Sequence, residues 1–522
     1  MTALRNTISL PNLAAGVAYL LTLALTCAAF WGLISYQGSD LSISLLQDNY
    51  IQQILKFTLY QAVLSTLLSL LLAIPVARAL HRASPWGKSL FLKLSLLAFV
   101  MPSLVLVSGI VNLLGPQSLF SKAFGGWNLF GLSGILIAHV YLNFPFAVRV
   151  LYGAFQAIPE SREQLADQLK LSTWQRIQHI ELPAIRAQLW TLAGLIGILC
   201  FNSFAIVLTL GGGPKATTLE LAIYQALKYD FNLSEALTLA WLQFAIAGSL
   251  FLLLSYSAKV NWLGAERGTK SQRVETGLIR QLQLAIYAVA WGYLLFPILA
   301  LVSKISVDLI IYYPYSSMLK ALSESLIIAT TSALLAMLLS LVLLNPIRNA
   351  AMRQQKLTEA FWSWLASHSL VAPAMVISTG TYILLISQGV LEVYSYIYLI
   401  LLNAMVLLPF LLNQLKPHLL QFDQQYRALI DNLKLPLLER LKVTAIHIHK
   451  PLIATASFAL LLALGDIAIF AIFGSYQHPT LPWLIYTFAG TYRLAEAALT
   501  SLILLALCFV LLRIMEHYQR HD

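Results

Sequence analysis

The sequence predicts an all-α, polytopic membrane protein with twelve transmembrane helices in two similar six-helix halves. Three observations lead to this prediction: the composition, the number of long apolar runs and an internal repeat. Hydrophobic residues make up 59% of the 522 residues and charged residues only 11%, whereas a soluble globular protein carries about 25% charged residues. A soluble fold of this size would lack the charge to cover its surface, so membrane lipid must surround much of the protein.

Twelve apolar runs are long enough to cross a membrane, since a spanning helix needs roughly 20 apolar residues. The runs lie at 14–36, 55–77, 90–114, 131–152, 189–210 and 236–257 in the first half, and at 282–303, 324–345, 361–386, 394–413, 452–473 and 495–514 in the second. The first run is too long for the apolar core of a signal peptide, and no small-residue cleavage site follows it. We therefore interpret it as a retained span.

The positive charges are divided unequally between the two sides of the membrane. With the N-terminus in the cytoplasm, 26 of the 33 Lys and Arg residues fall on the cytoplasmic side and 7 on the other. Cytoplasmic loops carry such an excess, which predicts a multi-pass protein with both termini in the cytoplasm. The same asymmetry explains the net charge of +11 without a nucleic-acid partner.

The chain repeats itself at an offset of about 264 residues. The segment "LADQLKL" at 165–171 matches "LIDNLKL" at 429–435. Further matches join 57–72 to 324–339, 142–146 to 406–410 and Tyr224 to Tyr486.

The repeat defines the predicted halves as residues 1–260 and 281–522, with a polar cytoplasmic linker at 261–280. Because each half has an even number of spans, both halves have the same orientation. An axis along the membrane normal should therefore relate them, with the transport path between them.

The loops after the fourth and tenth spans carry the most informative pattern. The first loop reads "EQLADQLKLSTWQRIQHIELPAI" at 163–185, and the second reads "YRALIDNLKLPLLERLKVTAIHIHKPL" at 426–452. Leu165, Ala166 and Leu169 lie at positions i, i+1 and i+4, on one face of a helix. A short helix with such a face can dock into a groove on a soluble partner. The alternative is an ordinary amphipathic helix at the membrane interface.

This pattern resembles the coupling loop of ABC importer permeases, in which Glu-Ala-Ala precedes a Gly and a later Ile-x-Leu-Pro. Gln164, Leu165 and Ala166 stand at the Glu-Ala-Ala positions, and Lys170 stands at the Gly. The resemblance implies a type I importer permease fold and two copies of an ATPase subunit, one under each half. The predicted coupling residues are Glu163, Gln164, Leu165, Ala166, Leu169, Lys170, Pro183, Tyr426, Leu429, Ile430, Leu433 and Lys434.

A glycine-rich loop follows the fifth span, within the segment 200–231. Gly211, Gly212 and Gly213, followed by Pro214, allow a tight turn close to another surface; a flexible helix terminator is the alternative. With the doubled architecture, this segment resembles thiamine ABC-transporter permeases.

That resemblance implies a location in the bacterial inner membrane. It also implies thiamine as the cationic substrate, with its phosphates as further candidates, and a periplasmic binding protein that faces the glycine loop. Iron(III) permeases share the doubled architecture and are the alternative.

Asp466 lies within the eleventh apolar run, and its repeat equivalent is Asn202. A charge at the bilayer centre costs about 2.5–3.5 kcal/mol, so such residues face the protein interior or water. We predict that this pair lies at a gate or along the translocation path. A structural hydrogen bond between helices is the alternative.

The sequence offers no sign of catalytic chemistry in this chain. The nearest approach to a phosphate-binding loop is Gly87-Lys88-Ser89, where Arg82 stands at the position of the required first glycine. We therefore predict a permease that is not an enzyme, with no cofactor or metal and with ATP hydrolysis in a separate subunit. An ion-coupled secondary transporter would need several ionisable residues in its spans and no paired docking loops.

Overall fold

The computed structural model describes residues 10–35, 48–116, 118, 127–257, 275–368 and 373–519. Within these ranges the chain forms helices and no β-strand. The helices of the first half are α1 (Leu10–Ser35), α2 (Asn49–Arg82), α3 (Lys88–Val100), α4 (Ser103–Leu114), α5 (Leu132–Gln156), α6 (Glu160–Gln168), α7 (Thr173–Arg176), α8 (Leu182–Phe201), α9 (Ala205–Leu210), α10 (Leu219–Lys228) and α11 (Leu233–Ser257).

The second half has a similar but not identical order of helices. Its helices are α12 (Gly277–Val302), α13 (Val307–Tyr312), α14 (Tyr315–Met352), α15 (Lys356–Ala366), α16 (Ala374–Ser387), α17 (Leu391–Asn432), α18 (Leu437–His447), α19 (His449–Gly465), α20 (Ala468–Phe473), α21 (Leu481–Gly490) and α22 (Leu494–Gln519). Most of the predicted linker lies outside the described residues, and its last four residues belong to α12.

The described ranges contain nine helices long and apolar enough to cross a membrane, or eleven if two bent helix pairs each count as one span. The shorter apolar helix α16 completes the twelve predicted spans. The prediction of two parallel-related six-helix halves is confirmed.

Several predicted runs are broken rather than continuous helices. The third run bends by 104° between α3 and α4, where Pro102 precedes α4. Pro373 precedes α16 in the same way in the second half. Proline cannot donate a backbone hydrogen bond and disfavours a helical residue before it, so Pro102 separates α3 from α4, and Pro373 marks the start of α16.

The first span of each half packs on the other half. Helix α1 packs against α14 and α16, while α12 packs against α2 and α4. At the first crossing Gly32 lies against Gly380, with no room for a Cβ atom on either residue. At the equivalent crossing, a Cβ on Gly109 would lie 2.7 Å from the carbonyl oxygen of Pro297. Small residues let helix backbones approach closely inside a membrane, so these two crossings join the halves.

We expect Gly380→Ala to lower the free energy of unfolding by about 1–3 kcal/mol, the usual cost of overpacking. The added Cβ would overlap with the carbonyl group of Ala29 on α1. Gly292→Ala is the matched control, because a Cβ there meets no atom within 4 Å, and it should change stability by less than about 1 kcal/mol. Thermal unfolding of the purified protein in detergent measures both, and equal effects would contradict the close crossing.

Candidate functional site

The two predicted coupling loops each expose a cluster of large apolar side chains. In the first loop Leu165 is 54% exposed, Leu169 62% and Trp174 70%. The equivalent residues of the second loop, Leu429, Leu433 and Leu438, are 55%, 60% and 78% exposed. We name these sets the first and second docking surfaces. The same exposure at the same offset in both halves is the expected form of a surface that binds a partner.

Other predicted coupling residues differ in their orientation. Ala166 and Ile430 are buried and hold the docking helices against the protein. Gln164 and Lys170 are exposed beside the first docking surface, and Pro183 is exposed in the first turn of α8. Tyr426 and Lys434 are exposed beside the second docking surface. Sequence reasoning missed Trp174 and Leu438, although both lie at the 264-residue offset.

The two docking helices connect to their spans differently. The first is the separate helix α6, which begins after Pro159. The second is the last part of the 42-residue helix α17, because Asp423 occupies the position equivalent to Pro159. Asp423 stays helical and forms an ion pair with Arg348 on α14, at 2.6 Å between Oδ1 and Nη2. Leu429 of the second docking surface therefore lies on a continuous extension of a membrane span, whereas Leu438 lies on the separate helix α18.

Each docking helix ends in a left-handed residue. Lys170 has φ +50° and Lys434 has φ +48°. The next amide donates back into the helix, from Leu171 to the carbonyl oxygen of Ala166 at 3.0 Å and from Leu435 to that of Ile430 at 3.4 Å. Glycine is the residue best suited to this helix ending, which gives a physical reason for the glycine in the coupling-loop pattern.

We expect Lys170→Gly and Lys434→Gly each to stabilise the protein by about 1 kcal/mol, because the left-handed region penalises residues with a Cβ. Lys442→Gly, within α18, should instead destabilise by about 1 kcal/mol. Thermal unfolding of the three variants provides the comparison. Destabilisation by Lys170→Gly would show that its side chain matters more than its backbone strain.

An arginine braces each docking loop in the same way. Arg176 donates from Nε to the carbonyl oxygen of Leu171 at 3.1 Å and from Nη2 to Asp167 at 2.7 Å. Arg440 donates to the carbonyl oxygen of Leu435 at 2.9 Å, and its Nη1 lies 3.0 Å from Asp431. These equivalent contacts fix the turn that presents each docking surface.

The first loop alone joins a buried chain of charges within the described residues. Arg82 at the end of α2 binds Glu163 on α6 and Glu181 in the following π-helical turn, at 2.8 Å each. Arg78 continues the chain to Glu181 at 2.7 Å and to Glu275 at 2.6 Å.

Glu275 precedes α12 and accepts a hydrogen bond from Gln283 on that helix at 2.6 Å. The charge chain thus ties the first docking helix to α2 and to the first span of the second half. Glu163, predicted as a coupling residue, contributes from inside the protein and is 5% exposed.

The glycine loop follows the C-terminal end of α9. Gly212 and Gly213 have φ +71° and +124°, conformations that favour glycine. A Cβ on Gly212 would lie 2.7 Å from Cβ of Phe130, so the loop packs closely on the start of α5. Gly211 is buried, whereas Gly212, Gly213 and Pro214 are exposed.

Asn202 and Asp466 occupy equivalent breaks in the fifth and eleventh spans. Asn202 ends α8 and Asp466 ends α19, each just before a short helix. Gln243 on α11 donates from Nε2 to Oδ1 of Asn202 at 3.4 Å and to Oε1 of Glu220 on α10 at 3.0 Å. The structure thus brings a second carboxylate, Glu220, into this region, which sequence reasoning missed.

These features define a class: a multi-pass membrane permease of two similar halves, with paired docking surfaces and a polar site at its span breaks. Comparison with known proteins gives the family. The family model described as "Binding-protein-dependent transport system inner membrane component" matches residues 66–260.

Full-length relatives narrow the family further. The thiamine transport system permease protein ThiP of Escherichia coli K12 is 34% identical over 513 residues, which cover 95% of this chain and 94% of the relative. The protein of the same name from Haemophilus influenzae is 34% identical over 91% of this chain and 90% of the relative. The protein of that name from Brucella abortus 2308 is 35% identical over 90% of this chain and 88% of the relative. The chain belongs to the thiamine transport system permease family of inner-membrane components.

Proposed function

We propose that this chain is the translocation subunit of an ATP-driven importer that carries thiamine across the bacterial inner membrane. The observation that carries the proposal is the pair of docking surfaces, with exposed apolar residues at three equivalent positions, 264 residues apart, in the two halves. The similarity to thiamine transport permeases over nearly the whole chain supports the substrate.

The proposal assigns a partner to each end of the molecule. Both termini and both docking surfaces face the cytoplasm, where each half, 1–260 and 281–522, binds one copy of an ATPase subunit. The exposed part of the glycine loop, Gly212 to Pro214, faces the periplasm and contacts the substrate-binding protein. The excess of positive charge on the docking-loop side supports this orientation.

The transport step follows from how the docking loops are connected. When the two ATPase subunits close, they push on both docking surfaces. Leu429 of the second surface moves with α17, on which it lies, and the first surface moves with α2 and α12 through the charge chain. Because each first span packs on the opposite half, the halves move as coupled bodies, and the path opens to alternate sides.

Reconstitution tests this function directly. The chain, a P-loop ATPase and a secreted thiamine-binding protein from the same organism are assembled in proteoliposomes with ATP inside, and uptake of radiolabelled thiamine is measured. We expect ATP-dependent thiamine uptake that requires all three proteins, and no uptake of iron(III). Iron(III) uptake without thiamine uptake would overturn the substrate, and uptake driven by an ion gradient without ATP would overturn the mechanism.

A further inference from the structure

A cavity of about 290 Å³ lies where the start of α1, from the first half, meets the end of α14 and helix α15, from the second. The buried part of its lining includes Tyr19 on α1, whose ring packs against that of Trp362 on α15 at 4.9 Å between centroids. The Tyr19 hydroxyl donates to the carbonyl oxygens of Leu343 and Trp362, at 3.0 and 3.1 Å. These contacts hold the three helices around the space, which we name the α1–α15 cavity.

Helix α15 places this cavity at the surface of the membrane. Phe361 and Trp364 lie at i and i+3, on one helix face, and are 53% and 52% exposed. A short helix with an exposed apolar face lies along the membrane interface, where tryptophan is enriched. Leu13 and Val17 on α1, 55% and 50% exposed, also face lipid. The α1–α15 cavity therefore lies at the level of the lipid headgroups.

Arg353 is the one charged residue among the described residues that line the cavity. Its side chain is exposed, and within the described ranges it has no hydrogen-bond or ion-pair partner. The neighbouring arginines are occupied: Arg348 binds Asp423 at 2.6 Å, and Arg427 donates to Asn349 at 2.6 Å. The guanidinium of Arg353 is therefore available, and its fork of donors matches the oxygens of a phosphate.

Uncharged hydrogen-bonding groups complete the rim of the cavity. Asn12 on α1, Gln355 just before α15 and Thr358 on α15 line it and are exposed. Amide and hydroxyl groups can donate to phosphate oxygens without adding charge. The rim is thus polar and basic and the inner part aromatic, which suits an amphipathic anion. Small-molecule sites begin at about 300 Å³, so the space accommodates a headgroup while the acyl chains stay in the bilayer.

The corresponding place in the other half is closed by an acid of the protein itself. In the repeat that matches 57–72 to 324–339, Asn349 is the equivalent of Arg82. There Glu275, which precedes α12, binds Arg78 at 2.6 Å, and its backbone amide donates to the carbonyl oxygen of Arg82 at 3.0 Å. The described lining of the α1–α15 cavity contains no carboxylate, so Arg353 can bind an anion from outside the chain.

We propose that the α1–α15 cavity binds the headgroup of one anionic phospholipid from the cytoplasmic leaflet. Arg353 pairs with the phosphate, the amide and hydroxyl groups of the rim donate to its oxygens, and Tyr19 and Trp362 contact the glycerol. Basic pockets between spanning helices on the cytoplasmic side commonly bind such headgroups. The inference rests on the proposed orientation, which puts this end of α1 in the cytoplasm. Because the lipid touches helices of both halves, it adds a contact to the crossing of α1 on α14.

The test is lipid binding by the purified full-length permease in detergent, counted by native mass spectrometry during titration with phosphatidylglycerol. Arg353→Gln removes the charge. Gly16→Leu places a side chain in the cavity without changing the charge, because Gly16 lines it and a Cβ there meets no atom within 4 Å. Arg280→Gln is the matched charge control, since Arg280 is exposed at the start of α12, the corresponding span. Gly292→Leu, also with open space at its Cβ, controls for the added side chain.

We expect one phosphatidylglycerol to bind the wild type more tightly than all further lipids. Arg353→Gln should weaken this first binding at least about tenfold, the scale of one hydrogen bond to a charged group, and Gly16→Leu should weaken it similarly. Arg280→Gln and Gly292→Leu should stay within about twofold of wild type. Phosphatidylcholine, which has no net charge, and inorganic phosphate should both bind more weakly than phosphatidylglycerol.

Equal weakening by Arg353→Gln and Arg280→Gln would show that lipid follows the general surface charge, and would overturn the inference. Equally tight binding of phosphatidylcholine or of inorganic phosphate would also overturn it, by assigning the cavity to an uncharged lipid or to a free anion. Unchanged binding by Arg353→Gln and Gly16→Leu would place the lipid elsewhere, with the same consequence. None of these results depends on thiamine uptake, so the reconstitution experiment alone decides the proposed function.

Discussion

The double variant Leu165→Asp, Leu429→Asp should lose ATP-driven uptake almost completely while remaining folded. Both leucines are more than half exposed, so the permease alone loses little by their replacement. In a complex each aspartate would enter an apolar groove without a partner, and buried apolar anchors commonly contribute about 2 kcal/mol or more to an interface. Each loss should weaken the binding of one ATPase copy by at least about thirtyfold, and the two together should lower occupancy of both surfaces by about a thousandfold.

Co-purification of the ATPase with the permease in detergent, together with thiamine uptake, measures this effect. Leu357→Asp is the matched control: this leucine is 89% exposed on α15 and lies in neither docking surface. It should retain both the ATPase and uptake. Retention of the ATPase by the double variant would show that the docking surfaces are not the binding site.

Arg82→Met should destabilise the permease by about 3–5 kcal/mol, the usual cost of removing one partner from a buried ion pair. Arg82 is 2% exposed and binds two carboxylates, Glu163 and Glu181, which are themselves almost fully buried. The substitution leaves both charges inside the protein with less compensation. Arg78 still binds Glu181 and Arg176 still binds Glu163. The two carboxylates therefore lose the arginine that they share, but each keeps one positively charged partner.

Thermal unfolding in detergent measures the loss. Arg162→Met, on the exposed side of the same docking helix, should change stability by less than about 0.5 kcal/mol. The triple variant Arg82→Met, Glu163→Gln, Glu181→Gln should recover part of the loss, because it removes the uncompensated charges. An equally large loss in the triple variant would mean that packing of the Arg82 side chain, and not its charge, stabilises this region.

Hydropathy and the repeat were sufficient to predict twelve spans in two parallel halves, because the bilayer imposes a minimum length on every apolar helix. Hydropathy and the repeat did not predict that α1 packs on the second half and α12 on the first. That exchange depends on which helix faces meet in three dimensions, and single small residues such as Gly32 and Gly380 carry no distinctive pattern on their own. The break at Pro102 could have been inferred, since proline disfavours a continuous helix.

The docking loops show the same division between local and tertiary information. The i, i+1, i+4 pattern coincides with the short helix α6 and the residue that ends it, and Leu165 and Leu169 are exposed there; their docking role stays a prediction. Ala166 is buried because the helix lies against the rest of the protein, which the spacing alone does not reveal. Glu220 was missed because it lies in the chain as one acid within an outer segment, and only the fold places it within hydrogen-bonding distance of Gln243, beside Asn202.

The crossing of α1 onto the second half also sets the timing of biogenesis. Gly380 is made 348 residues after Gly32, which at about 5–20 residues per second takes roughly 20–70 s. Throughout that interval α1 resides in the bilayer with its small-residue face open to lipid. A chain that stops before Gly380 leaves the small-residue face of α1 exposed to lipid permanently. An unfinished permease therefore differs from a finished one in the exposure of its first helix.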